Sequence, residues 1–235
     1  MAKNDKVKIS CFSDMLCIWA YISEVRLDEL RRQFGSQIEL SYHFLPIFGC
    51  AQRRICGGWK DRGEFNGYAE HVKHVCESFP HVSLHDDVWF SLRPASSANC
   101  HLFLKSVQLL VTNNKISIDP EERFDGRTLF EQVIWACRQA FFRDAKDISD
   151  LSVLFAIAEA YDLPVGEIRA QIDSGYAMAA MCCDIELKNE FNIDGSPTYV
   201  LNEGRQKLYG NVGYKVIEAN VQEVLNRPEN QISWC

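Results

Sequence analysis

The sequence predicts an α/β architecture with a large all-helical insertion between two halves. Three observations carry it: alternating segments around one helical stretch early in the chain, two short strands and a helix late in it, and a long run of helical periodicity between them. With 235 residues, 47% of them hydrophobic, the chain can bury a substantial core.

Val7-Lys8-Ile9-Ser10-Cys11-Phe12-Ser13 alternates apolar and polar residues, the pattern of a strand with one face in a core. From Cys17 to Phe34 the apolar positions Trp19, Ile22, Val25, Leu27, Leu30 and Phe34 recur at mostly helical spacing, and Gly35 follows as a stop signal. Period two returns over residues 38–46, with Ile38, Leu40, Tyr42 and Phe44 on one face. Strand, helix and strand in so short a span require a parallel pair joined by a right-handed crossover. Helical periodicity marks the region from Arg53 to Asn192, clearest in Leu102 to Val111, Leu129 to Phe142, Leu151 to Tyr161 and Val165 to Ile172. Two strands then read across a turn containing Asn202 and Gly204, and a last helix runs from Tyr214 to Leu225. The halves are residues 1–50 and 190–235, and the helical subdomain is 51–189.

A net charge of -7 argues against phosphate backbones and anionic membranes, so neither nucleic acid nor membrane is an expected partner. The polar start Met1-Ala2-Lys3-Asn4-Asp5-Lys6 lacks an export signal, and no apolar run is long enough to span a bilayer. The expected location is cytoplasmic. Ten cysteines scattered through such a chain are expected to be mostly reduced and buried.

Asp14-Met15-Leu16-Cys17-Ile18-Trp19-Ala20-Tyr21 resembles the active-site loop Asp-x-x-Cys-Pro-Trp-Cys-Tyr of the DsbA-like thioredoxin family. Within it, the chain is similar to FrnE-like proteins, 2-hydroxychromene-2-carboxylate isomerases and kappa-class glutathione transferases. Asp, the first Cys, Trp and Tyr match; Ile18 replaces the proline and Ala20 the second cysteine. Gly195-Ser196-Pro197-Thr198-Tyr199-Val200 resembles the family's Gly-x-Pro-Thr-Phe, whose proline is cis and faces the active cysteine. Pro94 to His101 resembles the stretch opening an insertion helix that faces the site, and Ala140 to Asp150 a later helix, loop and helix start. The order of these matches implies a thioredoxin fold over nearly the whole chain, and relatives that often pair as homodimers.

The resemblance makes Cys17 the catalytic residue, with Trp19, Ser196 and Pro197 contacting substrate or glutathione and Asp14, Ser97 and His101 in support. At a helix N-terminus Cys17 is expected to gain thiolate character, and Ala20 cannot resolve a mixed disulfide. The first reading is therefore oxidoreductase chemistry by a single cysteine, resolved by glutathione or another thiol, with no obligatory cofactor. Two alternatives stay open: glutathione-dependent isomerase or transferase chemistry, and a non-catalytic binding module. Bland roles compete at several positions. Asp14 suits a helix cap, Trp19 edge packing and Pro197 backbone geometry alone. His71, His74, His81 and His85 with Cys76 have zinc-ligand chemistry but no established ligand spacing, so no metal is expected. Cys182 and Cys183 are expected to be one buried and one partly exposed thiol. No cysteine of the insertion is expected within bonding reach of Cys17, with Cys11, Cys50 and Cys100 brought nearest by the topology.

Overall fold

In a computed structural model of the protein, residues 6–226 are described. Strand β1 (Val7–Ser13) leads through a tight turn into helix α1 (Ile18–Phe34), and β2 (Ile38–Phe44) follows. Gly35 ends α1 at φ +47°, a conformation glycine adopts without a Cβ penalty, and its N–H caps the carbonyl of Arg31. β1 and β2 pair in parallel from Val7 opposite Ile38 to Ser13 opposite Phe44, as their alternation requires.

Seven helices intervene among the described residues before the sheet resumes: α2 (Ala51–Gly58), α3 (Glu64–Glu77), α4 (Ala98–Thr112), α5 (Leu129–Phe142), α6 (Leu151–Ala160), α7 (Val165–Asp173) and α8 (Tyr176–Glu190). Strand β3 (Thr198–Leu201) then pairs antiparallel with β1, and β4 (Gln206–Tyr209) pairs antiparallel with β3. The strand order is β2-β1-β3-β4, and α9 (Tyr214–Asn226) closes the fold. This is a thioredoxin-type sheet split by a helical insertion. The β3–β4 turn uses positive φ at Asn202, Glu203 and Gly204.

The insertion is fastened to the first half by aromatic packing and buried charge. Tyr21 of α1 stacks on Phe142 of α5 at 4.7 Å and on Trp135 at 5.2 Å, contacts worth about 0.5–1.5 kcal/mol each beyond area burial. Glu131, in the first turn of α5, completes a capping box with Thr128 and also accepts from Arg31 of α1 at 2.9 Å and from the Tyr42 hydroxyl at 2.7 Å. Removing one member would strand its partners away from water. Phe12, Leu45, Ile193 and Val200 form a smaller apolar cluster of their own.

Several expectations need correction. Val25 faces solvent, because it lies off the stripe made by Ile22, Leu27, Leu30 and Phe34. Helices α2, α3 and α8 were not separately legible. α8 buries only Ala177, Met181 and Asp184, so it is anchored by charge as much as by apolar area. Asp184 accepts from Phe44 N at 2.8 Å and pairs with Lys105 Nζ at 3.0 Å. With so narrow a buried seam, Cys182 and Cys183 are both exposed. Of the nine described cysteines only Cys11, Cys17, Cys100 and Cys137 are buried, and all nine are free thiols. Among the described residues no helix is long and apolar enough to cross a membrane.

Candidate functional site

The turn between β1 and α1 carries Asp14 and Cys17 because β1 ends there and the helix has not begun. Cys17 is extended, at φ -82° and ψ 115°, and occupies the N-cap position without a side-chain cap bond. Across the sheet, β3 starts just after Ser196-Pro197, whose peptide bond is cis as the resemblance implies. The two segments meet through two contacts. Cys17 Sγ–H donates to the Ser196 carbonyl at 3.3 Å, and Asp14 N–H donates to Ser196 Oγ at 2.9 Å.

Asp14 organises the loop from beneath. It is 0% exposed. Its Oδ1 accepts from Leu16 N at 2.8 Å, and its Oδ2 accepts from Phe48 N at 2.8 Å and from the Ser97 hydroxyl at 2.8 Å. The helix-cap expectation is therefore corrected: Asp14 ties together the turn, the chain after β2 and the start of α4. Its carboxylate needs these donors because buried charge without them would be costly. Ser97 serves Asp14. His101, one turn into α4, is also fully buried and stacks on Phe44. Its Nε2 accepts from Met15 N at 3.2 Å, which assigns the ring proton to Nδ1, a nitrogen without a partner among the described residues. Burial lowers its pKa, with the nearby Asp14 charge opposing, so the ring is neutral.

Cys17 itself departs from expectation. It is 7% exposed, and burial pushes its thiol pKa up, outweighing the Ser196 side chain and the Ala20 backbone N–H, which favour the thiolate. The helix N-terminus is present as foreseen, but desolvation wins. Trp19 sits apart, half-buried and edge-on to Phe79 at 6.3 Å. The structure thus gathers Asp14, Cys17, Ser97, His101, Ser196 and Pro197, and leaves Trp19 at the rim.

Three groups of residues surround the site, and of their members Glu24, Arg138, Cys137 and Tyr68 carried no signal in the sequence. Ala20, where a second thiol would stand, lines a narrow cavity of about 10 Å³ with Glu24, Arg138 and Tyr199. Arg138 Nη2 donates to Ser13 Oγ at 3.0 Å, and its charge favours a Cys17 thiolate. Cys100 and Cys137 touch through their thiols, and burial raises the Cys100 pKa well above the ordinary value. Half-buried Tyr68 of α3 lies within electrostatic reach of Cys17, Asp14 and Arg54. The four clustered histidines do not converge. His81 Nε2 bonds the Ile22 carbonyl at 2.9 Å, His74 pairs with Glu77, and among the described residues no group of three His, Cys, Asp or Glu could hold a metal.

The family described as DSBA-like thioredoxin domain matches residues 8–222. The ClpXP adapter protein SpxH of Halalkalibacterium halodurans is 22% identical over 236 residues, covering 97% of this chain and 71% of that protein. SpxH of Bacillus licheniformis is 30% identical over 105 residues, which span 43% of this chain and only 35% of that relative's length. Among solved structures, a putative protein disulfide isomerase from Nitrosomonas europaea superposes with a TM-score of 0.72 at 12% identity, covering 95% of this chain and 99% of that one. The cytosolic disulfide reductase DsbM from Pseudomonas aeruginosa gives 0.62 at 17% identity over 92% and 98%, and it has also been solved with GSH. At these identities the structural likeness establishes the fold.

Proposed function

Because the chain belongs to the DSBA-like thioredoxin domain family, we propose that it is a thiol–disulfide oxidoreductase working through Cys17 alone, with an external thiol, glutathione or another, as the resolving partner. The carrying observation is that Cys17 Sγ lies 3.3 Å from the Ser196 carbonyl, beside cis Pro197, in a loop whose other family cysteine is Ala20.

The chemistry takes two steps. The Cys17 thiolate attacks one sulfur of a disulfide; the Cys17–sulfur bond forms as the old S–S bond breaks, and the departing sulfur leaves with the electron pair and gains a proton. A second thiol, deprotonated to solvent, then attacks the mixed disulfide and returns Cys17 as a thiolate. Sulfur oxidation levels balance, since one disulfide is consumed and one formed. Burial keeps the resting thiol protonated, so the first step quickens with pH and with whatever a bound substrate does to open or polarise the Ser196 contact.

The test is reduction of a glutathione-mixed peptide disulfide by wild-type protein and by Cys17→Ser, with glutathione as the second thiol. The expected result is loss of at least a hundredfold in Cys17→Ser with an unchanged melting temperature. Retention of turnover by the serine variant would favour isomerase or transferase chemistry, in which the attacking sulfur belongs to glutathione.

A second reading has its own support. The curated relatives are named as ClpXP adapters, and a thiol that is buried and held protonated suits a chain that binds a partner without turnover. An adapter would show no exchange with either residue at position 17 and equal partner capture by both.

A further inference from the structure

Beside the loop, α2, the turn at residues 60–62 and α3 enclose a cavity of about 280 Å³. Its walls include Phe48, Ile55, Trp59 and Tyr68, and its polar groups are Arg54 and Arg62. On a protein of net charge -7 this corner is locally basic: Arg53, Arg54, Lys60 and Arg62 fall within ten residues that contain Asp61 as the one acid. The arginines are held differently. Arg62 is fixed, with its guanidinium 4.0 Å above the Trp59 ring and Nη2 donating to the Gly58 carbonyl at 2.9 Å. Arg54 has no acidic partner among the described residues, so its fork of donors is available.

The cavity is joined to the reactive loop on two sides. Phe48, one of its walls, donates its N–H to Asp14. Tyr68, another wall, lies within electrostatic reach of both Arg54 and Cys17. The enclosure depends on a close approach, since a Cβ on Gly67 would meet the Arg62 carbonyl oxygen at 1.7 Å. An aromatic box with one free guanidinium and one fixed guanidinium suits a planar anion, which arginine binds in bidentate fashion.

We propose that this cavity binds a carboxylate carried close to the reacting sulfur of the ligand that meets Cys17, so that Arg54 selects acidic thiols and disulfides over neutral or basic ones. The proposal rests on Cys17 being the sulfur that reacts. Such a carboxylate has two sources, the ends of a small peptide thiol or an acidic side chain of a longer client, and the recognition chemistry is the same for both.

Binding without turnover tests it. Calorimetry would compare S-methylglutathione with its dimethyl ester, and acetyl-Glu-Cys(S-methyl)-Gly-amide with its Gln counterpart, on wild-type protein, Arg54→Gln and Arg54→Lys. The expected result, in at least one pair, is that the acid binds wild type at least tenfold more tightly than its neutral partner. Arg54→Gln removes that preference and Arg54→Lys keeps part of it. A preference in the glutathione pair alone identifies a small thiol, and in the Glu and Gln pair alone an acidic client. Equal affinity of acid and neutral forms in both pairs, or a preference untouched by Arg54→Gln, overturns the assignment. Since these probes cannot exchange sulfur, discrimination together with an inert Cys17 would remove the oxidoreductase reading and leave the anion site standing.

Discussion

Asp14→Ala would remove the acceptor for two backbone N–H groups, Leu16 and Phe48, and for the Ser97 hydroxyl, each held at 2.8 Å by a side chain that is wholly buried. A buried donor left without a partner costs about 1–3 kcal/mol, and the hydroxyl, which can turn elsewhere, about 1. The sum is roughly 3–7 kcal/mol. Set against a typical domain stability of about 5–15 kcal/mol, this is a large fraction. Asp14→Asn separates geometry from charge. Leu16 N–H uses one carboxylate oxygen while Phe48 N–H and Ser97 use the other, so an amide can satisfy only one side and places its NH2 against a donor on the other. Its cost is expected near 2 kcal/mol, about half that of alanine. The assay is urea unfolding followed by tryptophan fluorescence, with the slope checked for constancy before midpoints are compared. A loss under about 1 kcal/mol for Asp14→Ala, or equal losses for Ala and Asn, would refute the account of Asp14 as the clasp of the loop.

Three further outcomes follow from the same geometry. Burial raises the Cys17 pKa, so at pH 7 iodoacetamide should label Cys17 more slowly than exposed Cys50, Cys182 and Cys183, with its rate still climbing above about pH 8.5, read site by site by mass spectrometry. Burial lowers the His101 pKa, so the unfolded chain binds the proton more readily; stability is complete above about pH 6.5 and is lost as pH falls below it. Urea midpoints between pH 4.5 and 7.5 should slope accordingly, and His101→Gln, which keeps an acceptor for Met15 N–H, should flatten that slope. Ala20→Cys places a thiol one helical turn from Cys17, and it should form the 17–20 disulfide and speed exchange at least tenfold in the mixed-disulfide assay; no gain would show that the surrounding site is not competent.

The sheet and four of the insertion helices were legible because their apolar residues repeat locally. Val7 to Ser13 and Ile38 to Phe44 alternate, and Leu129 to Phe142 keeps a helical stripe along its length. The site's frame was legible through Cys17 and Ser196-Pro197, which carry motif. Its energetics were not. Whether a helix N-terminus or desolvation governs Cys17 depends on what covers it, and that cover comes from segments distant in sequence. Asp14 read as a cap because a cap is local, whereas its real partners are Phe48 and Ser97, 34 and 83 residues away. Arg54, Tyr68 and Arg138 lie in ordinary amphipathic helices, where nothing in the spacing tells a solvated arginine from one beside a reactive loop.

The sequence span between Cys17 and the Ser196 carbonyl it meets bears on how the protein comes into being. Cys17 and Ser196 are 179 residues apart. At the usual pace of synthesis, about 5–20 residues per second, the thiol leads its carbonyl partner by roughly 9–36 s. During that interval β1 has β2 beside it but not β3, and Cys17 has no lid. The nascent chain therefore carries uncovered a cysteine that the finished fold buries, and arrival of the β3 segment brings the carbonyl that its thiol meets. Oxidants or electrophiles met by the ribosome-bound chain would mark Cys17 faster than they mark it in the finished protein.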